Sequence, residues 1–251
     1  MSSSISLTSR LPVDAFAEQF QREMLPLNNH YSYFAAVPLD ETQIQQYVQE
    51  PVASLPPSLS ETLPKVRVML VPYLEHSNTK SVDLVAFEKP AENRQVAATS
   101  IELGAELFFF LGVKDEDVAD YHYAFYNGLA SLLSYRLKES QRERFNRVLR
   151  EELANEAHGE VEEKSWRLKQ QLLRRQTNLL RDTKLQREYI RQAFEDTATL
   201  YLHGLCCDID VETGPRQLPT RYLRKRLDLL RQMFPPPDGF ALFPEELGRR
   251  E

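Results

Sequence analysis

The sequence contains little glycine and cysteine, and its 15 prolines are absent from a long central stretch. Its 251 residues include 8 glycines and 2 cysteines, and no proline lies between Pro90 and Pro215. Proline in a helix interior removes a hydrogen bond and clashes with the preceding turn, so its absence here permits long helices. The two cysteines, Cys206 and Cys207, are adjacent in sequence. They do not form the disulfide framework of a secreted protein and fit reduced thiols.

Long apolar runs are also missing. Residues 121–135 carry no Asp, Glu, Lys or Arg, but they fall short of the about 20 apolar residues that a bilayer-spanning helix needs. The first ten residues have neither the basic nor the apolar region of a secretory signal. With 42% hydrophobic and 27% charged residues, we expect a globular cytoplasmic protein of one large or two small domains.

The charge is unevenly distributed along the chain. Residues 1–135 contain 8 basic and 17 acidic side chains, whereas residues 136–251 contain 23 basic and 20 acidic ones. The formal net charge of -6 therefore combines an acidic first half with a slightly basic second half. Such an asymmetry points to contact with an oppositely charged partner or between the halves themselves.

The first part of the chain predicts a small α+β unit. Pro12 suits the first turn of a helix that runs to about Met24, and residues 30–37 are rich in strand-forming side chains. Asp40 and Gln43 match a capping box that opens a second helix. Residues 51–64 contain four prolines, which predict a linker or an extended surface crossing.

Three further runs predict strands, at residues 65–74, 82–87 and 101–111. The turn-forming segments between them favour an antiparallel meander. Phe108, Phe109 and Phe110 are consecutive, which predicts a strand covered on both faces. Helices must then pack on the sheet.

The second part of the chain predicts long helices. Acidic residues at 115–117 favour a helix start near Val118, and His158 with Gly159 is a plausible stop. A second helix is expected from Glu160 to about His203, and a shorter one over residues 220–234 ends at three prolines. The predicted fold is therefore α+β. Residues 1–114 form a small, mostly antiparallel sheet with short helices, and residues 115–251 form a long antiparallel helical hairpin with a C-terminal helix.

The hairpin register brings one set of reactive side chains into proximity. If the chain folds back at Gly159, His122 falls opposite Glu195 near the open end of the hairpin. Asp196, His203 and Cys207 share a helix face at spacings i, i+7 and i+11. Imidazole, carboxylate and thiolate suit zinc, and a cysteine beside a histidine also suits nucleophilic catalysis. The alternative is a core histidine with a buried cysteine pair.

A basic segment is the main local charge anomaly. Residues 164–191 hold nine basic side chains against Asp182 and Glu188. These side chains are candidates for contact with nucleic-acid phosphates: Lys164, Arg167, Lys169, Arg174, Arg175, Arg181, Lys184, Arg187 and Arg191. The alternatives are a solvated helix face, or pairing with the acidic first half of the chain.

Three apolar residues at intervals of seven, Trp166, Leu173 and Leu180, predict a surface for self-association or for a protein partner. A single core cannot cover both faces of such long helices, so part of the hairpin should meet another chain. We therefore expect an interaction or scaffold protein. A nucleic-acid-associated protein and a metal or Cys/His enzyme are the alternatives, and the sequence names no cofactor.

Overall fold

The protein divides into two compact units. The computed structural model describes residues 10–77, 82–114, 117–174, 183–207 and 214–243. Unit 1 comprises residues 1–53 and 63–128, and unit 2 comprises residues 54–62 and 129–251. The division between residues 128 and 129 falls inside a helix. The α+β class is confirmed, and no helix among the described residues is long and apolar enough to cross a membrane.

Unit 1 contains the sheets. Its described strands are β1 (Arg10–Pro12), β2 (Leu25–Pro26), β3 (Tyr31–Ala35), β4 (Lys65–Val71), β5 (Tyr73–Glu75), β6 (Leu84–Ala86), β7 (Gln95–Val96), β8 (Ala98–Leu103) and β9 (Glu106–Gly112). Its short helices are α1 (Val13–Phe20), α2 (Glu41–Ile44), a π-helical segment (Gln45–Gln49), α3 (Glu50–Ala53) and two 3-10 turns (Gln21–Glu23 and Glu92–Arg94). The predicted capping box is present at α2, where Gln43 N donates to Asp40 Oδ1 at 2.8 Å and Asp40 N donates to Gln43 Oε1 at 3.0 Å.

Two sheets replace the predicted meander. One has the strand order β1-β6-β5-β7 and is antiparallel, and the other has the order β2-β3-β4-β9-β8. In the second sheet β4 runs parallel to both β3 and β9, while the edge pairs are antiparallel. The predicted strand at residues 101–111 is in fact a hairpin, because the chain turns at Gly104, whose φ is 62°.

The consecutive phenylalanines of β9 are buried on both faces, as predicted. Phe108 and Phe110 join a core formed with Phe16 of α1, whereas the Phe109 ring lies 5.9 Å from that of Phe125. A Cβ at Gly128 would approach the Phe109 ring to 2.2 Å, so a glycine is needed at this position. A strand covered on both faces is typical of the interior of a parallel sheet, which explains why the antiparallel meander was wrong.

The proline-rich segment at residues 51–64 is not an exposed linker. It forms part of α3 and a 3-10 helix at Pro57–Glu61. Leu55, Leu59 and Leu63 are all buried. The prolines restrict the backbone of this segment, and its three leucines are removed from solvent. The segment therefore contributes apolar side chains to the protein interior.

Unit 2 is helical. Its helices are the second part of α4 (Val118–Arg136), α5 (Glu139–Ala154), α6 (Glu163–Arg174), α7 (Lys184–Cys206) and α8 (Thr220–Met233). Within the described residues, the predicted helices of roughly 40 residues are replaced by shorter ones, because α5 begins after an extended Lys138 and α7 after an extended Thr183. α7 lies near α5, α6 and α8, and α5 also lies near α8.

One local feature ends the first predicted long helix early, and another forms the stop that was predicted at Gly159. At the first break, Lys138 is extended with φ -61° and ψ 147°, and its N–H donates to Gln141 Oε1 at 3.0 Å. At the second, Gly159 has φ 76°, and a Cβ there would lie 2.1 Å from Gln217 O. Glu160 N donates to Arg216 O at 2.9 Å, and Leu218 N donates to Glu160 O at 3.0 Å. The chain after α5 therefore docks against residues 216–218 instead of turning directly into a second helix.

A fully buried ionic cluster joins the helices of unit 2. Arg226 of α8 has no exposed surface. Its NH2 donates to Glu152 Oε2 of α5 at 2.5 Å, and its NH1 donates to Glu160 Oε2 at 2.7 Å. Lys169 of α6 lies 3.1 Å from Glu160 Oε1, and Tyr189 of α7 donates to the same oxygen at 2.5 Å. We call these five residues the buried ionic cluster.

The cluster is balanced in charge, with two carboxylates and two cations. Burial alone would raise the pKa of Glu160, but Arg226, Lys169 and the Tyr189 hydroxyl outweigh it and bring that pKa down to about 2. A buried charge is costly without a partner. Each member therefore needs the others as hydrogen-bond or charge partners, and this requirement fixes their positions relative to one another.

We expect Arg226→Met to destabilise unit 2 by about 3–5 kcal/mol, because it leaves two buried carboxylates with Lys169 as their remaining cation. Urea unfolding at neutral pH measures the change. Arg221→Met is the matched control, since Arg221 is exposed on the same helix and should change stability by less than about 0.5 kcal/mol. A loss from Arg226→Met no larger than the control's would contradict the role of the cluster.

Candidate functional site

Unit 2 contains a groove between the first turns of α5 and α7, with the end of α4 closing one side. Its volume is about 680 Å³. Apolar side chains form its floor and arginines form its rim, so we call it the arginine-rimmed groove. Its floor residues are Leu137, Phe145, Ile190 and Phe194, and its rim residues are Arg142, Arg147, Arg150, Arg187 and Arg191.

Helical periodicity sets the two layers of the groove. On α7, Arg187 and Arg191 are four residues apart and form one row, and Ile190 and Phe194 form the neighbouring row at the same spacing. Thr183 caps this helix by accepting a hydrogen bond from Gln186 N at 3.1 Å. The cap fixes the residue at which α7 begins. It therefore also fixes where the arginine row and the apolar row start along the helix.

The floor is well packed. The rings of Phe145 and Phe194 meet edge to face with centroids 5.2 Å apart, and each side chain is only 1% exposed. Leu137 is also buried, while Ile190 is half-buried. The two rings therefore support the groove from below, and the half-buried Ile190 offers apolar surface to a ligand.

The rim carries excess positive charge. Five arginines line the groove against two acids, Glu139 and Glu143. Arg142 NH1 donates to Glu139 Oε2 at 2.9 Å, whereas Arg147 and Arg150 are exposed. The groove therefore favours a ligand with negative charge along its edges.

Arg191 is the most firmly positioned of the rim arginines. It donates to Glu195 Oε1 at 2.6 Å, and Ser134 Oγ donates to the same oxygen at 2.8 Å. The Arg191 guanidinium also lies over the ring of Tyr135, 5.3 Å from its centroid. Tyr135 itself is 64% exposed, so a large aromatic edge stands at the mouth of the groove.

One polar atom of the groove lacks a partner. Among the described residues, Asn146 Oδ1 is buried and accepts no hydrogen bond, and Asn146 lines the groove. A buried acceptor left unpaired costs free energy. A donor supplied by a ligand would remove that cost.

The predicted basic segment does not form one surface. Lys169 is 1% exposed and belongs to the buried ionic cluster, so the prediction that it contacts phosphates is wrong. Lys164, Arg167, Arg174 and Lys184 are exposed, and Arg167 donates to Glu163 Oε1 at 2.7 Å. Arg187 and Arg191 line the groove. Arg175 and Arg181 lie outside the described residues.

Sequence reasoning missed the contribution of α5 to this site. Arg142, Arg147 and Arg150 lie outside residues 164–191, the basic segment that the sequence singles out. Arg142 is three residues before Phe145 and so lies on the same side of the helix, which was a usable signal. Its use needed knowledge of which helix lies opposite. That knowledge depends on the helix break after Arg136.

Of the three predicted interface residues, Trp166 and Leu173 lie on α6. Trp166 is half-buried, and the Arg216 guanidinium lies 5.0 Å from its ring centroid. Leu173 is 39% exposed, and Leu180 lies outside the described residues. Self-association through these side chains stays a prediction.

Two residues of the predicted histidine and cysteine site lie close together within unit 2. A ring nitrogen of His203 and the Sγ of Cys207 lie within 4.8 Å of each other, and both side chains are half-buried. His122 belongs to unit 1, where its Nε2 lies 2.8 Å from Gln46 O. Its participation stays a prediction.

Asp196 is a buried carboxylate with other partners, so its prediction as a ligand beside His203 is wrong. It lies seven residues before His203 on α7, which separates them by about 10 Å along the helix axis. Gln192 Nε2 donates to Asp196 Oδ1 at 2.7 Å. Among the described residues, Asp196 Oδ2 and Gln192 Oε1 accept no hydrogen bond.

The environment of Asp196 favours its neutral form. Burial raises the pKa of Asp196, as do the carboxylates of Glu160 and Glu195, while hydrogen bonds with Ser165 and Gln192 lower it by less. The net direction is upward. A protonated carboxyl would also turn one of the two unpaired oxygens into a donor.

Comparison of the chain with models of known protein families, with curated proteins and with solved structures found no match. The functional argument therefore depends on the geometry of the site alone.

We expect Asp196→Asn to remove a specific pH dependence of stability. Because the folded-state pKa is raised, the contribution of neutral Asp196 is fully present below its unfolded pKa of about 3.9 and is lost as the pH rises through the folded pKa. The free energy of unfolding of Asp196→Asn, measured against pH, should therefore gain on that of the unmodified protein as pH rises. Parallel curves would show that Asp196 titrates normally.

Proposed function

We propose that this protein is a non-catalytic interaction protein whose arginine-rimmed groove binds an acidic, amphipathic segment of a partner protein. The observation that carries the proposal is the combination of a packed apolar floor with a rim of five arginines against two acids. An amphipathic helix that lays its apolar face into a groove uses this kind of surface.

The apolar floor favours a protein segment over nucleic acid. A nucleic-acid strand is held by phosphate contacts together with aromatic faces on which bases stack. The exposed aromatic ring at this groove is Tyr135, and the Arg191 guanidinium already lies over it. Nucleic-acid contact through the exposed basic residues of α6 and α7 is therefore the second candidate.

The residue types at the rim suit a protein interface. Arginine and tyrosine are enriched among the side chains that contribute most to binding at such interfaces. A volume of about 680 Å³ falls within the range of about 300–1,000 Å³ for specific ligand sites. It accommodates a few anchoring side chains of the bound segment.

A designed helical peptide tests the proposal without knowledge of the natural partner. The probe is a fluorescent, capped peptide of about 20 residues with leucines along one face and glutamates beside them. Its matched control keeps the leucines and replaces each glutamate with lysine. We expect the acidic peptide to bind and the basic peptide to bind at least about tenfold more weakly, a difference of about 1.4 kcal/mol.

Charge reversal locates the binding surface. Arg147→Glu combined with Arg150→Glu should weaken the acidic peptide at least about tenfold, because both exposed rim charges change sign. Arg167→Glu is the control, since this arginine is exposed on α6 and does not line the groove. Equal affinity for both peptides, equal loss in both variants, or displacement of the peptide by a single-stranded oligonucleotide would overturn the proposal.

A further inference from the structure

We propose that His203 and Cys207 bind a single divalent metal ion, and that Zn²⁺ is the ion that fits them best. Imidazole nitrogen and thiolate sulfur are the protein ligands that zinc prefers. This would be a binding site in addition to the groove. Its two residues do not line the groove and lie at the opposite end of α7.

The spacing of the two residues suits a metal. They are four residues apart at the end of α7, and two ligands at i and i+4 on one helix face recur at zinc centres. Cys207 directly follows α7 and its backbone is extended, with φ -131° and ψ 147°, but its N–H still donates to His203 O at 2.9 Å. This hydrogen bond keeps Cys207 beside the last turn of the helix, whereas Cys206 is the last residue of α7 itself.

The distance between the ligand atoms is close to what coordination requires. Zinc holds nitrogen at about 2.0–2.1 Å and sulfur at about 2.3 Å, so tetrahedral geometry places the two atoms about 3.6 Å apart. The ring nitrogen and the sulfur lie within 4.8 Å of each other. A small rotation of either side chain brings them into range.

The position at the end of α7 favours a cation over a nucleophile. The C-terminal end of a helix carries partial negative charge, which stabilises a cation and disfavours an uncompensated thiolate. Activated cysteines instead lie at helix N-termini or beside cations. A bound metal supplies the positive charge that a thiolate at this end needs. Both side chains are half-buried, so an ion has access to them.

Cobalt provides a direct test, because thiolate coordination to Co²⁺ gives a ligand-to-metal charge-transfer band in the near ultraviolet. We expect one equivalent of Co²⁺ to produce this band in the reduced full-length chain, and Zn²⁺ to displace it. Cys207→Ser should abolish the band, while the matched variant Cys206→Ser should retain it. Loss of a residue that only supports a metal ligand weakens metal binding about 10- to 100-fold. His203→Ala should weaken Co²⁺ binding by more than this.

A second measurement uses the unmodified protein, which removes any concern that a variant fails to fold. Zn²⁺ should slow the alkylation of Cys207, mapped by mass spectrometry, more than that of Cys206. Absence of the charge-transfer band in the unmodified chain, loss of the band in Cys206→Ser but not in Cys207→Ser, or equal alkylation of both cysteines with Zn²⁺ would overturn the proposal.

Discussion

The buried contact of Arg226 with Glu152 and Glu160 is the constraint on which the rest of unit 2 depends. The Arg226 guanidinium has no exposed surface. The free-energy cost of its burial is offset when carboxylates accept hydrogen bonds from its N–H groups in fixed geometry. Glu160 in turn needs Lys169 and Tyr189. Since the five side chains come from four helices and the loop after α5, displacement of α5, α6, α7 or α8 would deprive a buried polar or charged group of one of its partners.

The groove is a consequence of this constraint. The cluster fixes α5 through Glu152 and α7 through Tyr189, and the groove lies between the first turns of these same helices. Phe145 and Phe194 complete the connection, because their edge-to-face contact joins the two helices beneath the arginine rim. A binding surface held on rigid elements loses less conformational entropy on association than one built on loops.

Parts of this fold could be predicted from local sequence, and other parts could not. The capping box at Asp40 and the two-sided burial of Phe108 to Phe110 follow from patterns a few residues long. The parallel pairing of β4 with β9 depends on partners about 40 residues apart, and no local pattern specifies it. Lys169 and Arg226 were least accessible to prediction, because a buried cation looks like a solvated one until its carboxylate partner is known. His203 and Cys207 are four residues apart at the end of α7, and this short separation explains why sequence reasoning could place them close together.

The central claim is that the groove between α5 and α7 receives a partner segment, and photo-crosslinking tests it most directly. The acidic peptide, carrying a photoreactive group among its leucines, would be irradiated with the full-length protein and the labelled residues identified by mass spectrometry. The account predicts labels at residues 134–150 and 186–194, lost when an excess of unlabelled peptide is present. Labels concentrated instead on α6, at residues 163–174, would contradict it.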